Sequence, residues 1–156
     1  MKPQVFFSFH YEKDLWRVRH IRRLLWDWDG TAWETMKRTT ETSMRYWIDR
    51  QLRGTAVTAV LIGQETAKRF FVHYEIKRSR ESGKGLLGIY IHNLKDQTGK
   101  TCPRGANPFD QHIVIEGGRE VRLSERVLTY DWVNDNGETN FGRWVEAASR
   151  DNRNAA

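Results

Sequence analysis

The segment whose residues most suggest chemistry is 69–76, which reads RFFVHYEI. At helical spacing Phe71 and Glu75 lie one turn apart, on a face that borders the apolar residues of the segment. A carboxylate in such a position is partly shielded from water, and burial of this kind perturbs the pKa of carboxylates at functional sites. The same pattern also fits an ordinary glutamate at the edge of the core, paired with Lys77 or Arg78. The spacing therefore offers Glu75 as a candidate catalytic carboxylate and leaves the structural alternative open.

Other motifs in the chain do not lead to a known type of site. Residues 83–88 (GKGLLG) match the glycine spacing of dinucleotide-binding loops, but a predicted helix precedes them and a strand follows, so no helix N-terminus would face a pyrophosphate. A receiver domain needs acidic residues where this chain has 9–11 and 63–64, and those positions hold none. The five histidines lack metal-ligand spacing, which predicts no metal site, and Cys102 has no neighbouring base in sequence.

Strand-like and helix-like segments alternate along the chain, which is typical of parallel strands joined by helical crossovers. We therefore predict a three-layer α/β domain over residues 1–150, without a strong hairpin signal, and a frayed tail at 151–156. The segment 26–34 reads as a loop with a turn and a short strand. The predicted strands are residues 4–9, 55–62, 86–91 and 127–132, and the predicted helices are 12–25, 40–52, 66–82 and 141–150.

In an open α/β sheet the site lies beyond the carboxyl ends of the strands. That rule directs attention to residues 9–11, 63–66 and 92–95. The segment 93–110 follows the third of these and is rich in glycine and proline. A loop of this length is more often functional or mobile than idle, and its role stays open at this point.

The composition is that of a folded, basic protein in a reducing compartment. There are 26 Lys and Arg against 20 Asp and Glu over 156 residues, a formal net charge of +6, and 12% of residues are aromatic. No apolar run approaches a membrane span, and the apolar stretch within residues 1–10 is too short for a signal peptide. One cysteine cannot form an internal disulfide, so we expect a cytoplasmic protein. A cluster of arginines falls mainly outside the apolar face of the first helix, which indicates a solvated face. These are Arg17, Arg19, Arg22 and Arg23.

Three stretches resemble known TIR sequences. VFFSFHYEKD (5–14) resembles the opening box of TIR domains, an apolar strand that ends in Ser-aromatic before polar residues and an acid. RFFVHYEI resembles the helix in which NAD-cleaving TIR domains carry their catalytic glutamate, usually as Trp-Val-x-x-Glu-Ile. GLLGIYIHNLKD (85–96), followed by a glycine-rich stretch and Asn-Pro-Phe at 107–109, is similar to the TIR-like family that includes the ThsB proteins of Thoeris antiphage defence. Together they span residues 4–132.

The resemblance implies a flavodoxin-like three-layer sandwich with a central, mostly parallel sheet of about five strands. It also implies a site that cleaves the nicotinamide–ribose bond of NAD and makes a cyclic ADP-ribose-type messenger, with NAD as substrate and no cofactor. Carried over by position, Glu75 is the catalytic carboxylate, and Phe71, in place of the usual Trp, is the aromatic one turn before it. Phe9 and His10 match residues on the nicotinamide side of the pocket, and the adjacent Tyr11 is a further candidate.

The implied partners are NAD, a second copy of the chain or a phage-derived trigger protein, and a downstream effector reached through the product. A membrane partner is not expected. Two other functions remain open. One is a non-catalytic interaction module that uses exposed aromatics at Trp26, Trp28 and Trp33. The other is nucleic-acid binding through the arginine-rich first helix, which we consider the weakest of the three.

Overall fold

Buried strands rich in Val, Ile and Phe form the centre of the molecule. The computed structural model describes residues 2–28, 31–33 and 40–151. The strands are β1 (Val5–Ser8), β2 (Thr31–Trp33), β3 (Val57–Ile62), β4 (Gly85–Tyr90), β5 (Ile113–Glu116), β6 (Arg119–Arg122) and β7 (Thr129–Asp131). The helices are α1 (Tyr11–Leu24), α2 (Glu41–Leu52), α3 (Phe70–Glu81) and α4 (Gly137–Asp151).

Five strands pair in the order β2-β1-β3-β4-β7, and every pairing is parallel. This is the flavodoxin-like strand order, in which the chain direction along the sheet reverses between β1 and β3. All six residues of β3 are buried, as expected for a strand covered on both faces. The predicted α/β class with a parallel five-stranded sheet is confirmed.

Alternation along β1 and β3 divides the core into two layers. Val5, Phe7 and Phe9 belong to the cluster that also contains residues of α1 and α4. Phe6 packs instead with residues of α2 on the other face, and Val60 of β3 packs there with residues of α3. The two faces matter for function because a side chain on one of them is separated by the sheet from the helices on the other.

The fold contains a hairpin for which the sequence carries no strong signal. Strands β5 and β6 form an antiparallel pair within the crossover from β4 to β7. Gly117 and Gly118 connect them, with φ angles of +57° and +79°, and a Gly-Gly pair that adopts positive φ at both positions is a favoured two-residue hairpin turn. The flanking sequences IVIE and REVR are short and mostly exposed, so they carry no buried apolar run that would predict strands.

The predicted helix at 66–82 is interrupted near its start. A 3₁₀ turn covers Thr66–Lys68, Arg69 is extended, and α3 begins at Phe70. At the other end Gly83 has a φ of +70° and closes the helix, and Gly85 opens β4. The GKGLLG motif is therefore a helix stop followed by a strand, as predicted.

Three expectations about the surface and the termini can be compared with the structure. Trp26 is 84% exposed, but Trp28, expected to be exposed, is buried against the core. Asp151 ends α4, while residues 152–156 of the predicted tail, together with 29–30 and 34–39 and the side chain of Trp33, lie outside the described part of the chain. Among the described helices, none has the length and apolarity that a bilayer crossing requires.

Candidate active site

The carboxyl ends of β1 and β3 meet where the strand order reverses, which is the usual ligand position in such sheets. Ser8 ends β1 and His10 follows it, while Gly63 follows β3. Helix α3 then returns from this edge on the same face of the sheet as Phe6. The candidate residues from sequence are therefore brought to one edge, although not all of them lie on one face.

Glu75 lies on the sheet side of α3 and is completely buried. Glu75 belongs to the core face of the helix, because the other buried residues of α3 are at helical spacing from it. They are Val72, Ile76 and Ser79. Ser79 Oγ donates to the Glu75 carbonyl oxygen at 2.6 Å and lies 2.6 Å from Thr58 Oγ1 on β3. These two contacts fix the helix backbone at Glu75 relative to the sheet.

The same contacts set the height of Glu75 along the strands. Because α3 runs back along the sheet, a residue one turn before Ser79 lies about 5.4 Å nearer the carboxyl edge, roughly two strand residues beyond Thr58. That height is the level of Val60, which is in register with Ser8 of β1. Ser8 Oγ is buried and has no hydrogen-bond partner among the described residues. The register thus puts a buried hydroxyl and the Glu75 carboxylate in the same layer.

The alternative of an ordinary boundary glutamate fits the structure poorly. A boundary residue keeps part of its side chain in water, whereas Glu75 is 0% exposed. The two cations considered as partners reach other carboxylates. Lys77 Nζ lies 3.9 Å from Glu81, and Arg78 contacts Asp49 at 3.0 Å and Glu81 at 2.8 Å.

Phe71, one turn before Glu75, is half-buried at the start of α3. Its ring packs against the cluster of Phe6, Met44 and Ile48. It also makes an edge contact with the Phe70 ring, with 5.1 Å between the two ring centres. The ring therefore stands between the core and solvent near the carboxyl edge of the sheet. An aromatic ring in that position can form one side of a pocket for a planar ligand group.

His10 caps the N-terminus of α1. Its Nδ1 accepts a hydrogen bond from the Lys13 N–H at 3.2 Å. Burial lowers the pKa of His10, and the nearby Arg69 guanidinium lowers it further, while Glu12 and Glu65 act in the opposite direction. The imidazole is therefore neutral near pH 7, and because Nδ1 is the acceptor, the ring proton is on Nε2, where it can be donated to a ligand.

Phe9 and Tyr11 lie on the other side of the sheet from Glu75. The Phe9 ring is 1% exposed within the cluster formed with α1 and α4, and it stacks on Tyr11 with 6.2 Å between ring centres. The structure brings these two residues together with each other, not with the Phe71 and Glu75 side chains. A direct contact of Phe9 or Tyr11 with a ligand stays a prediction.

Asp14 is a buried acid at the same edge that the sequence analysis did not single out as a site residue. It is 2% exposed, and a Cβ at Gly63 would collide with its Oδ2, so the carboxyl lies directly against the end of β3. Burial raises the pKa of Asp14 from 3.8 to about 6, although Arg17 and a hydrogen bond from Thr66 act to lower it. Asp14 therefore titrates close to physiological pH.

Arg17 is not part of a solvated face, contrary to the prediction. It is 5% exposed, with its Nε donating to the Leu94 carbonyl at 2.8 Å and its Nη2 to the Lys100 carbonyl at 3.0 Å, while Nη1 lies 3.8 Å from Asp14 Oδ1. Arg17 thereby attaches the 93–110 segment to α1. Helical spacing could have indicated the burial of Arg17, because Asp14 and Arg17 occupy positions adjacent to the buried Val18 and Ile21.

The 93–110 segment covers the carboxyl end of β3. A Cβ at Gly105 would collide with the Gly63 carbonyl oxygen and would lie 2.8 Å from the Gln64 carbonyl oxygen, so the two backbones are in close contact. Pro108 and Phe109 are buried beyond it. The segment therefore covers the sheet edge next to the candidate site.

His92 follows β4 at the same edge of the sheet. It is 9% exposed, its Nε2 lies 3.9 Å from Asp131 Oδ2, and its buried Nδ1 has no hydrogen-bond partner within the described ranges. Nowhere in the described ranges do three or more His, Cys, Asp or Glu side chains come together in a group that could hold a metal ion. The chemistry available at this edge is that of carboxyl, hydroxyl and imidazole groups.

Comparison with known proteins adds to this description. Residues 6–96 match the family described as Thoeris protein ThsB, TIR-like domain. The chain is 30% identical, over 191 aligned residues, to a Bacillus cereus (strain MSX-D12) protein named "Putative cyclic ADP-D-ribose synthase ThsB1", an alignment that covers 93% of this chain and 100% of the relative. Among solved structures, the TIR domains of the activated Roq1 resistosome, which directly recognises the pathogen effector XopQ, give a TM-score of 0.42 at 15% identity, over 56% of this chain and 57% of that one.

Proposed function

The chain belongs to the TIR-like family of Thoeris ThsB proteins, and we propose that it cleaves the bond between nicotinamide and ribose in NAD and releases a cyclic ADP-ribose-type messenger in antiphage defence. The observation that carries the proposal is the fully buried carboxylate of Glu75, one helical turn from Phe71 and level with the end of β1. The name of the Bacillus cereus relative supports the product class.

The chemistry suits a single carboxylate. Nicotinamide is cationic in NAD and leaves as a neutral molecule, so the departing group needs no proton. The ribose becomes oxocarbenium-like in the transition state, and a buried anion stabilises that developing positive charge strongly because little water screens it. Glu75 fits this role. Most glycosidases need a second carboxyl group to protonate the leaving group, and here none is required.

Other residues at the edge have supporting roles in this proposal. The Nε2–H of the neutral His10 and the hydroxyl of Ser8 can donate to oxygens of the ribose or the carboxamide, and the Phe71 ring can pack against the planar nicotinamide. Once nicotinamide has left, the ribose C1 can be attacked either by another atom of the same substrate or by water. Attack by the substrate's own atom gives a cyclic product, and attack by water gives ADP-ribose. The covered edge under the 93–110 segment favours the first outcome because it limits the access of water.

Assembly and signalling complete the proposal. We expect a phage-derived trigger or self-association to activate the protein, and the released nucleotide to act on a separate effector. The alternative function is a non-catalytic interaction module, which the 84% exposure of Trp26 favours.

The experiment is chromatography of NAD incubated with concentrated protein, alone and in lysate from phage-infected cells. The wild type should release nicotinamide together with an ADP-ribose species. Glu75→Gln, which preserves side-chain size, should release neither. Glu81→Gln is the matched control, since Glu81 is exposed at the end of the same helix and should leave turnover unchanged. Failure of the wild type to consume NAD under every trigger would favour the interaction module.

A further inference from the structure

A second concave surface lies at the opposite end of α1 from His10. It is a cleft of about 620 Å³, within the size range of small-molecule sites. Helix α1 has 14 residues, so this cleft and the candidate active site are about 20 Å apart along it. Three tryptophans and three arginines account for most of the lining. They are Trp16, Trp26, Trp28, Arg19, Arg22 and Arg23.

The aromatic part of the cleft combines a fixed ring with two accessible ones. Trp28 is buried, donates its Nε1–H to the Pro3 carbonyl at 3.1 Å and packs edge-on against Phe141 at 5.1 Å. Its position is therefore set by the core, and its polar group is already used. Trp16 is 47% exposed and Trp26 is 84% exposed. Two large indole faces thus remain available to a ligand. Without a ligand, they leave a considerable apolar area in contact with water.

The charge of the cleft is positive. Arg19 and Arg23 are exposed, and within the described ranges neither makes an ion pair and no acidic residue lines the cleft. Lys2 adds a further cation, 4.8 Å from the centre of the Trp28 ring. The α1 dipole contributes about half a negative charge at this end, and the exposed Asp27 contributes one more. Counted over the described residues alone, the four cations Lys2, Arg19, Arg22 and Arg23 exceed this negative charge.

We propose that this Trp-Arg cleft binds a nucleotide, with the heteroaromatic base stacked on tryptophan and the phosphates held by the arginines. Indole faces stack on bases, and one guanidinium group can donate two parallel hydrogen bonds to two oxygens of a phosphate. A concave site of this volume fits a compact ligand better than a flat protein surface. The ligand is either a free nucleotide or a base and phosphate of single-stranded nucleic acid. The cleft is separate from the Glu75 site and does not depend on NAD cleavage.

The test is isothermal titration calorimetry of the full chain with probes that lack the nicotinamide–ribose bond and are therefore not consumed. The probes are ADP, ADP-ribose, inorganic pyrophosphate and a twelve-nucleotide polyadenylate. Arg19→Ala/Arg23→Ala should weaken nucleotide binding at least tenfold, and Trp26→Ala about tenfold, the ratio expected for one lost stacking contact. The matched control is Arg80→Ala/Arg119→Ala, which removes two exposed arginines from α3 and β6 and should leave binding unchanged.

Each outcome decides the proposal. Binding of ADP or ADP-ribose that both cleft variants weaken supports it with a free nucleotide as ligand. Binding of the polyadenylate alone, falling steeply with salt, supports it with single-stranded nucleic acid as ligand. The proposal is overturned if no probe binds, if the cleft variants bind as tightly as the control, or if pyrophosphate binds as tightly as ADP, because the tryptophans would then contribute nothing.

Discussion

Arg17 should contribute far more to stability than any other arginine of the first helix. It makes two hydrogen bonds to backbone carbonyls, at 2.8 Å to Leu94 and 3.0 Å to Lys100, and it lies beside the buried Asp14. Hydrogen bonds from a charged group contribute about 1.5–3 kcal/mol each, and removal of one partner leaves the carbonyls and the carboxyl buried without compensation. Arg17→Met should therefore lower the free energy of unfolding by about 4 kcal/mol.

Arg17→Lys should lower the free energy of unfolding by about 2 kcal/mol. The lysine ammonium keeps the charge near Asp14 but cannot donate to the carbonyls of both Leu94 and Lys100. This variant keeps the test usable if Arg17→Met does not fold. Arg19→Met, two residues along on the exposed face, is the matched control and should change the free energy by less than about 0.5 kcal/mol.

The assay is urea unfolding followed by far-ultraviolet circular dichroism. Amide hydrogen exchange should show in addition that residues 94–100 lose protection in both Arg17 variants, since the segment is no longer held to α1. A loss below about 1 kcal/mol for Arg17→Met, or one equal to that of Arg19→Met, would refute the assignment of Arg17 as the attachment of the 93–110 segment.

Two further predictions concern the same edge. Because burial raises the pKa of Asp14 from 3.8 to about 6, its contribution to stability is present at low pH and is lost as pH rises through about 6. Relative to Asp14→Asn, the wild type should lose about 3 kcal/mol of unfolding free energy between about pH 4 and about pH 7, measured by urea unfolding; parallel pH profiles would contradict this. Gly105→Ala should cost about 2 kcal/mol, because its Cβ would meet backbone carbonyls within 3 Å, whereas Gly54→Ala, whose nearest contact is 3.8 Å away, should be nearly neutral; equal effects in thermal unfolding would refute the close contact.

The sheet was predictable from sequence because its strands carry strong local signals. β3 is a continuous apolar run that is buried on both faces, and the helices on either side have apolar residues at three- and four-residue spacing. The β5–β6 hairpin was not predicted, since its short strands are largely exposed and only the Gly-Gly turn marks them. Sequence periodicity therefore predicts helices and strands that are buried, but it does not predict exposed strands that are set in place by a turn.

The candidate site was predictable only in part. The spacing of Phe71 and Glu75 puts both on α3, but periodicity could not decide between a boundary and a fully buried carboxylate, because that depends on how closely the helix packs on β3. The role of Arg17 was out of reach for a related reason. Its acceptors are backbone carbonyls 77 and 83 residues away, and carbonyl groups have no sequence signature.

The measurement that tests the central claim most directly is the initial rate of nicotinamide release from NAD by the wild type, Glu75→Asp and Glu75→Gln, each confirmed to be folded. If the Glu75 carboxylate stabilises the oxocarbenium-like transition state, Glu75→Asp keeps the charge and retains measurable activity, while Glu75→Gln loses at least about a thousandfold. If Glu75 only fills the core, glutamine is the better replacement because it preserves shape. Activity in Glu75→Gln equal to or above that of Glu75→Asp would therefore contradict the account.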